Sequence, residues 1–287
     1  MSDEIKVGAT INSKYELMSV IGKGRKATVY KGYQHFAKKS AAVKILDAQA
    51  KISADDLKRF QKETKFLTSL HAHKGIVNLL DFGAAGIGQA YLVTELIEGP
   101  TLRQLLDERT SLDATTAQSI FGQVIEALAF VHEKNIVHAS LNPTEILLTP
   151  AAKGAGYATT VIDFGSAKSL EEPGETLKVD PGAEPSPYAS PELAGCKSFD
   201  ARTDIYSVGC MLYEALVGKL PESNPPTFAT DTTVPQPLQE VIVKALNPDP
   251  AKRFASMKEM AAAMPRGSSA PSDEKKDLWG SIKGMFK

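Results

Sequence analysis

The hydrophobic pattern of the chain changes period at Gly99-Pro100, and this change constrains the fold more than any other feature. Before it, one helix is predicted over 55–70, where apolar residues recur at helical spacing after a Ser53 N-cap. A Gly-rich turn is predicted over 83–88. Short runs rich in β-branched and aromatic residues predict strands over 15–22, 27–34, 40–46, 76–83 and 90–97.

After Gly99-Pro100 the apolar residues follow the 3.6-residue period of helices. The predicted helices span 101–109, 115–135, 203–218 and 237–246. A strand-rich front and a helix-rich back predict an α+β fold with two lobes. We expect an N-terminal extension over 1–14, an N-lobe over 15–97 and a C-lobe over 98–264.

Charge and cysteine usage narrow the class of protein. Lys and Arg total 33 against 34 Asp and Glu, so no basic field favours nucleic acid as a partner. Cys196 and Cys210 have neither disulfide-framework nor metal-site spacing, and each is expected to be a plain thiol in a reducing cytosol. No signal-peptide pattern begins the sequence, and no apolar run approaches the ~20 residues of a membrane span, so we expect a cytoplasmic protein.

The last residues differ in composition from the rest. Residues 265–274 are polar and contain Pro and Ser, which predicts a linker. Residues 275–287 carry four Lys and one Asp, and their apolar residues fall on one helical face. Three interpretations stay open for this amphipathic tail. It lies on an acidic membrane surface, docks in a groove of its own domain or of a partner, or forms a terminal helix on the body or a frayed end.

Four motifs occur in a fixed order along the chain. A Gly-rich strand–turn–strand occupies 21–32, Lys44 lies on the next strand, Glu63 lies midway along the predicted helix, and Asp163 begins an Asp-Phe-Gly triplet. This ordered set resembles the eukaryotic-type (Hanks-type) Ser/Thr protein kinase family, in its bacterial form, over roughly residues 15–264.

The resemblance implies a site for the phosphates of ATP. Gly22 and Gly24 would let backbone amides lie close to the phosphates, and Lys44, held by Glu63, would pair with them. Asp163 would bind Mg²⁺ through a hard carboxylate oxygen. Arg25 and Lys26, at the tip of the Gly-rich turn, either add charge near the phosphates or are simply solvated.

The resemblance also implies an adenine pocket. Val29, Ala42 and Leu147 would enclose the base, and the backbone at Glu95 and Ile97 would contact its edge. All five positions also suit plain core or backbone roles, so they support the fold more than the activity.

The segment that aligns with the family's catalytic loop, H-R-D-L-K-P-x-N, lacks its working residues. Over 138–145 it reads His-Ala-Ser-Leu-Asn-Pro-Thr-Glu. Ser140 replaces the aspartate base, and a serine hydroxyl cannot accept a proton near neutral pH. Asn142 replaces a lysine that steadies the γ-phosphate, and Ala139 replaces the arginine that reads a phosphorylated loop. Glu145 replaces an asparagine metal ligand and still offers an oxygen to Mg²⁺.

Elsewhere in the C-lobe, scaffold residues of the family are also kept while residues linked to catalysis or substrate docking are replaced. By resemblance, Glu192 pairs with Arg253 and Asp204 braces the catalytic loop, so scaffold residues are kept. Pro185 stands where the family has a threonine bonded to the loop, and the Pro-rich residues 221–237 lack the periodicity of a substrate-docking helix.

Three hypotheses stay open. The leading one is a pseudokinase that binds ATP–Mg²⁺ and regulates or scaffolds a partner protein in signalling. The alternatives are an atypical but active Ser/Thr kinase, with Asp163 and Glu145 as its metal ligands, and an interaction scaffold that binds no nucleotide.

Overall fold

A computed structural model of the chain describes residues 6–24, 26–46, 53–86, 89–151, 156–171, 186–195 and 199–265. Its backbone separates into two compact units. The first comprises Met1–Ala72, Val77–Ile97 and Asp163–Gly165, and the second comprises His73–Ile76, Glu98–Ile162 and Ser166–Lys287. Strands dominate the first unit and helices the second, which confirms the predicted α+β class.

The strand-rich unit contains an antiparallel six-stranded sheet and one helix, α1 (Ala54–Leu70). The strands are β1 (Thr10–Ile11), β2 (Tyr15–Lys23), β3 (Ala27–Gln34), β4 (Lys39–Leu46), β5 (Leu79–Gly86) and β6 (Gln89–Glu95). Their spatial order is β1-β2-β3-β4-β6-β5, so the motif-bearing strands β2, β3 and β4 are neighbours.

Alternate residues of these strands form the core of the unit, as period-two burial requires. Leu17, Val43 and Val93 are fully buried on β2, β4 and β6. Ile11 of β1 belongs to the same cluster at 4% exposure. The sequence predicted only an extension before residue 15, because a two-residue strand is too short to show a period.

Helix α1 begins as predicted at a Ser53 cap. The Ser53 hydroxyl accepts from the Asp56 amide, and the Asp56 carboxylate accepts from the Ser53 amide, which completes a capping box. Phe60, Leu67 and Leu70 are buried along one side of the helix. The apolar stripe seen in the sequence therefore attaches α1 to its unit.

The predicted turn over 83–88 is wrong in extent. Strand β5 continues to Gly86, and Gly83 pairs with Tyr91 of β6. A Cβ on Gly83 would lie 3.0 to 3.2 Å from atoms of the Tyr91 side chain, so glycine makes room for that ring within the strand. Glycine therefore served close packing here rather than a turn.

The helix-rich unit contains six helices among its described residues. They are α2 (Leu102–Arg109), α3 (Ala114–Glu133), α4 (Pro191–Ala194), α5 (Arg202–Val217), α6 (Gln236–Ala245) and α7 (Met257–Ala263). Four short strands form two antiparallel pairs, β7 (Ile136–Val137) with β10 (Lys168–Ser169) and β8 (Ile146–Pro150) with β9 (Tyr157–Val161). All four predicted helices are confirmed, and residues 221–235 contain none.

The centre of this unit is α5, whose residues from Thr203 to Leu216 are all buried. Cys210 on α5 is 1% exposed, and burial raises its thiol pKa to about 12, which confirms a plain core thiol. Cys196, the linker and the amphipathic tail lie outside the described residues, apart from Pro265. Among the described helices, none has both the length and the apolarity needed to cross a membrane.

Candidate functional site

The loop at 138–145 connects one short strand to the next through a turn. It leaves β7 after Val137, makes a 3-10 turn over Pro143–Glu145 and enters β8 at Ile146. Pro143 lies at the start of the 3-10 turn, where its missing N–H is not needed. The buried residues Leu141 and Pro143 fix the path of the loop.

The side chain of Asp204 on α5 holds this loop by binding the backbone amides of the loop. The amides of His138 and Ala139 each donate to the Asp204 carboxylate at 2.9 Å, and His132 Nε2 lies 2.8 Å from it. Burial alone would raise the pKa of Asp204, but the hydrogen bonds and charge of its histidine neighbours outweigh burial and lower that pKa. The buried carboxylate is therefore ionised and fully bonded, and the predicted brace is present.

Two of the replaced loop residues have structural bonds. The Asn142 side chain accepts from the Thr144 amide at 2.9 Å and donates to the Ser140 carbonyl at 3.1 Å. The Glu145 carboxylate accepts from the Asn142 amide at 3.2 Å. Asn142 thus caps the 3-10 turn, a role for which a lysine has no acceptor.

Three charged side chains meet in the strand-rich unit. Lys44 Nζ lies 2.9 Å from one Glu63 oxygen and 3.0 Å from the other, and 2.9 Å from Asp163 Oδ1. We call Lys44, Glu63 and Asp163 the charged trio. Glu63 is nearly fully buried, whereas the Asp163 side chain is 47% exposed. The predicted contact of Lys44 with Glu63 is present, and Asp163 joins it.

Burial and charge oppose each other within the trio. Burial alone would lower the pKa of Lys44, but the carboxylates of Glu63 and Asp163 raise it above its ordinary value. Burial raises the pKa of Glu63, against the attraction of Lys44. Lys44 therefore stays cationic at neutral pH, as a phosphate-binding ammonium must.

Glycine is needed at one position beside the trio. A Cβ on Gly165 would lie 3.0 Å from Asp163 Oδ1 and 3.2 Å from Glu63 Oε2, and the Gly165 amide donates to Asp163 at 3.1 Å. Asp163 itself has φ of 59°, a left-handed conformation that aspartate tolerates better than most residues. The Asp-Phe-Gly triplet thus presents the Asp163 carboxylate to Lys44.

Glycine occurs at positions 22 and 24 of the Gly-rich turn for different structural reasons. The Gly24 amide donates to the Ala27 carbonyl at 2.8 Å, and a Cβ on Gly24 would crowd that oxygen at 3.2 Å. A Cβ on Gly22 would meet only Val29, at an ordinary 3.7 Å. The fold therefore does not require glycine at 22, which is compatible with space kept for a ligand.

The residues expected around adenine lie in both units and are described separately. In the strand-rich unit, Val29 pairs with Lys44, and Ala42 pairs with Thr94 across β4 and β6. The Glu95 amide donates to the Asn78 carbonyl at 3.0 Å, so this amide is already engaged within the unit.

Ile97 follows the end of β6. In the helix-rich unit, Leu147 is half-buried on β8, where it pairs with Thr160.

The charged trio fits ATP–Mg²⁺ in two respects. One ammonium is placed to bind phosphate, and the exposed Asp163 carboxylate is a suitable oxygen ligand for Mg²⁺. Among the described residues, no group of three or more His, Cys, Asp or Glu is arranged to hold a metal by itself. A bound Mg²⁺ would therefore need phosphate oxygens or waters as further ligands, as Mg²⁺ commonly has.

The family model for the protein kinase domain matches residues 15–264. The chain belongs to the protein kinase family. Its strand-rich and helix-rich units are the N-lobe and C-lobe of this kinase fold. The Gly-rich turn, Lys44, Glu63 and Asp163 all fall within the matched residues.

Relatives of this kinase domain are bacterial Ser/Thr kinases. A probable serine/threonine-protein kinase of Clostridium perfringens is 32% identical over 88% of this chain and 38% of its own length. The kinase pkn3 of Myxococcus xanthus is 30% identical over 90% of this chain and 50% of its own. PknB of Mycobacterium tuberculosis is 29% identical over 89% and 43%. The chain thus spans half or less of these relatives' length.

Some predicted positions are not described, and some contacts were not predicted. Pro185 lies outside the described residues, so its relation to the loop stays a prediction. The predicted Glu192–Arg253 pair is present and bidentate, at 2.7 and 2.8 Å. The contact of Lys26 with Asp56 was missed, because a surface lysine thirty positions from its partner has no signature in one sequence.

A groove of about 770 Å³ on the outside of α1 was also missed. It lies between α1 and the β5–β6 hairpin, and Phe82 lines it. Thr64 and Thr68 also line it, and their hydroxyls donate to carbonyls of α1. No member of the charged trio lines it.

Proposed function

We propose that this kinase domain binds ATP–Mg²⁺ through its N-lobe, transfers phosphate poorly or not at all, and acts by binding a partner protein in signalling. The observation that carries the proposal is a contrast within one chain. The charged trio is assembled with hydrogen bonds of 2.9 to 3.0 Å, whereas the loop at 138–145 lacks a base.

Nucleotide binding is supported by the arrangement of the trio. Lys44 is held by two carboxylates and stays cationic, so its ammonium is oriented before a ligand arrives. Mg²⁺ would supply Lewis acidity and charge neutralisation at the phosphates, with Asp163 as a ligand. Gly22 leaves the Gly-rich turn open to close approach of a phosphate.

Weak catalysis is supported by the chemistry of the loop. Ser140 has no basic form near neutral pH, and Asn142 brings no positive charge to a developing anion. Asn142 caps its own turn, and Glu145 binds the Asn142 amide. These replacements are therefore built into the loop as structural residues.

The second candidate is an active Ser/Thr kinase, and two observations favour it. The relatives are named as kinases, and Glu145 places a carboxylate where the family has a metal ligand. Phosphoryl transfer depends mainly on positioning and electrostatics, so a missing base lowers the rate without necessarily abolishing it. In this case Glu145→Ala abolishes transfer.

One experiment on the purified chain separates these functions. The melting temperature is measured with ATP, with and without Mg²⁺, for the wild type, for Lys44→Ala and for Lys39→Ala, which removes an exposed lysine from the same strand. Our proposal expects equal shifts for the wild type and Lys39→Ala and a much smaller shift for Lys44→Ala. No shift for the wild type would favour the nucleotide-free scaffold.

A radiolabel assay on the same samples then tests turnover. Transfer at ordinary kinase rates, of 1 s⁻¹ or above in order of magnitude, would overturn the proposal of weak catalysis. Nucleotide binding without transfer would overturn the second candidate.

The partner and the location remain proposals. The amphipathic tail at 275–287 offers contact with a membrane surface or a groove, and a cytoplasmic location is proposed from the cysteine usage. Vesicles of acidic and of neutral lipid, mixed with the chain with and without 275–287, test the membrane contact. Binding to acidic vesicles that disappears with the tail would support it.

A further inference from the structure

Lys26 connects the Gly-rich turn to α1. Its ammonium donates to Asp56 Oδ2 at 2.8 Å, from the position just before β3. The same oxygen accepts from the Ser53 amide at 2.8 Å and from the Ser53 hydroxyl at 2.7 Å. Three donors therefore meet on one carboxylate at the N-terminus of α1.

The Asp56 carboxylate is well suited to this contact. Its side chain is 12% exposed, against 42% for Lys26. Hydrogen bonds from Lys26 and Ser53 outweigh the effect of burial and lower the pKa of Asp56 to about 2. An acid in the first turn also gains from the helix dipole. The Asp56 carboxylate is thus ionised at neutral pH.

Asp56 lies two turns before Glu63 on the same face of α1. Seven residues correspond to about 10.5 Å along a helix and return to nearly the same angle. Glu63 binds Lys44 of β4, and Asp56 binds Lys26 at the start of β3. Two ion pairs therefore attach one face of α1 to neighbouring strands of the sheet, one at the Gly-rich turn and one at the charged trio.

We propose that Lys26 is a positioning residue for nucleotide phosphates, which acts through Asp56 by holding the Gly-rich turn in register with α1. The inference rests on the proposed binding of ATP–Mg²⁺. An ammonium already bound to Asp56 would have to leave it to contact a phosphate. Lys26 therefore sets where the turn lies and leaves phosphate contact to the backbone amides and Lys44.

The test measures ATP–Mg²⁺ affinity by calorimetry for four variants. Lys26→Gln and Asp56→Asn each remove one partner, and Lys26→Arg keeps a cation for Asp56 while leaving the Asp56 cap intact. Lys23→Gln is the matched control, because it removes an exposed lysine from the other side of the same turn. Adenosine, which has no phosphates, is titrated in parallel.

We expect Lys26→Gln and Asp56→Asn to bind ATP–Mg²⁺ roughly two- to fivefold more weakly, the size that an ion pair of this exposure supports. Lys26→Arg keeps most of the affinity, and Lys23→Gln and adenosine binding change little. This pattern requires the pair rather than the charge of Lys26 alone.

Several results would overturn the inference alone. If Lys26→Gln weakens binding while Asp56→Asn leaves it unchanged or tightens it, Lys26 contacts phosphate directly. Unchanged affinity in both variants, or an equal loss for adenosine, reduces the pair to a helix cap. A wild type that binds no ATP–Mg²⁺ would instead remove the proposed function, and this inference with it.

Discussion

The charged trio of the N-lobe retains the side chains of the kinase family, whereas the loop at 138–145 of the C-lobe retains the family's backbone path but not its working side chains. In the trio the side chains are kept, and Lys44 contacts both Glu63 and Asp163. In the loop the backbone is kept, because Asp204 binds the amides of His138 and Ala139 whatever side chains these residues carry. Retained shape thus says little about retained chemistry, and the two regions have to be tested separately.

The largest expected effect comes from breaking the loop's support. Asp204→Ala leaves two buried amides without their acceptor, and we expect a loss of roughly 3–5 kcal/mol in the free energy of unfolding. Urea denaturation measures it. Asp107→Ala removes an exposed acid of α2 and serves as control. A loss for Asp204→Ala no larger than that of the control would show that the brace is dispensable.

Restoring the loop's chemistry sharpens the comparison from the other side. Because the trio is already assembled, Ser140→Asp with Asn142→Lys should raise phosphoryl transfer by roughly 100-fold, within the range of general-base catalysis. Losing the Asn142 cap should lower stability by about 1 kcal/mol. Radiolabel transfer measures the gain, with Ser140→Asn as control. No gain would place a further defect outside the loop.

Removing Lys44 from the charged trio should weaken the binding of ATP–Mg²⁺ without unfolding the domain. We expect Lys44→Ala to bind ATP–Mg²⁺ roughly 10- to 100-fold more weakly, since charged hydrogen bonds to phosphate are lost. Calorimetry compares it with Lys39→Ala. Equal affinity in the two variants would mean that nucleotide, if bound, does not use the trio.

A smaller effect separates folding from binding at the Gly-rich turn. Gly22→Ala adds a Cβ with only ordinary contacts to Val29, so the melting temperature should not fall. The affinity for ATP–Mg²⁺ should drop about fivefold, because the methyl group occupies space near the phosphates. A fall in stability with unchanged affinity would contradict this reading of Gly22.

The smallest effect concerns pH. The pKa of Asp56 is lowered to about 2, so its ion pair stabilises the fold above the ordinary pKa of 3.8, and that stability is lost as pH falls through about 2. At pH 5 the free energy of unfolding of the wild type should exceed that of Asp56→Asn by less than about 1 kcal/mol. This difference should shrink toward pH 2. Urea denaturation between pH 5 and 2 tests this. A gap that widens in acid would refute it.

The sequence predicted elements with strong periods and failed where close packing decided. The helices and most strands follow from apolar spacing, and Ser53, Glu192 and Arg253 were found through local or family patterns. The extent of β5 was missed because Gly83 accommodates Tyr91 from another strand. The contact between Lys26 and Asp56 could not be predicted, since Asp56 comes within reach of Lys26 only after α1 is placed against the sheet.

Within the candidate site, too, some residues were predicted from the sequence and others were missed. The members of the trio were identified from ordered motifs, because each motif residue type has a chemical task. The capping role of Asn142 was not predicted. An asparagine in place of a lysine suggested only a lost charge, whereas its bonds to Thr144 and Ser140 depend on the turn itself.

Asp204 also bears on how such a loop changes over evolutionary time. Because Asp204 holds the loop through backbone amides, these bonds do not depend on the side chains at 139 and 140 and place no stability filter of their own on mutations there, unlike at 142, where Asn142 caps the turn. Once selection for turnover relaxes, those positions drift while the scaffold persists. On the proposed function, the same property makes the path back to activity short, because the backbone of the loop is already held in place.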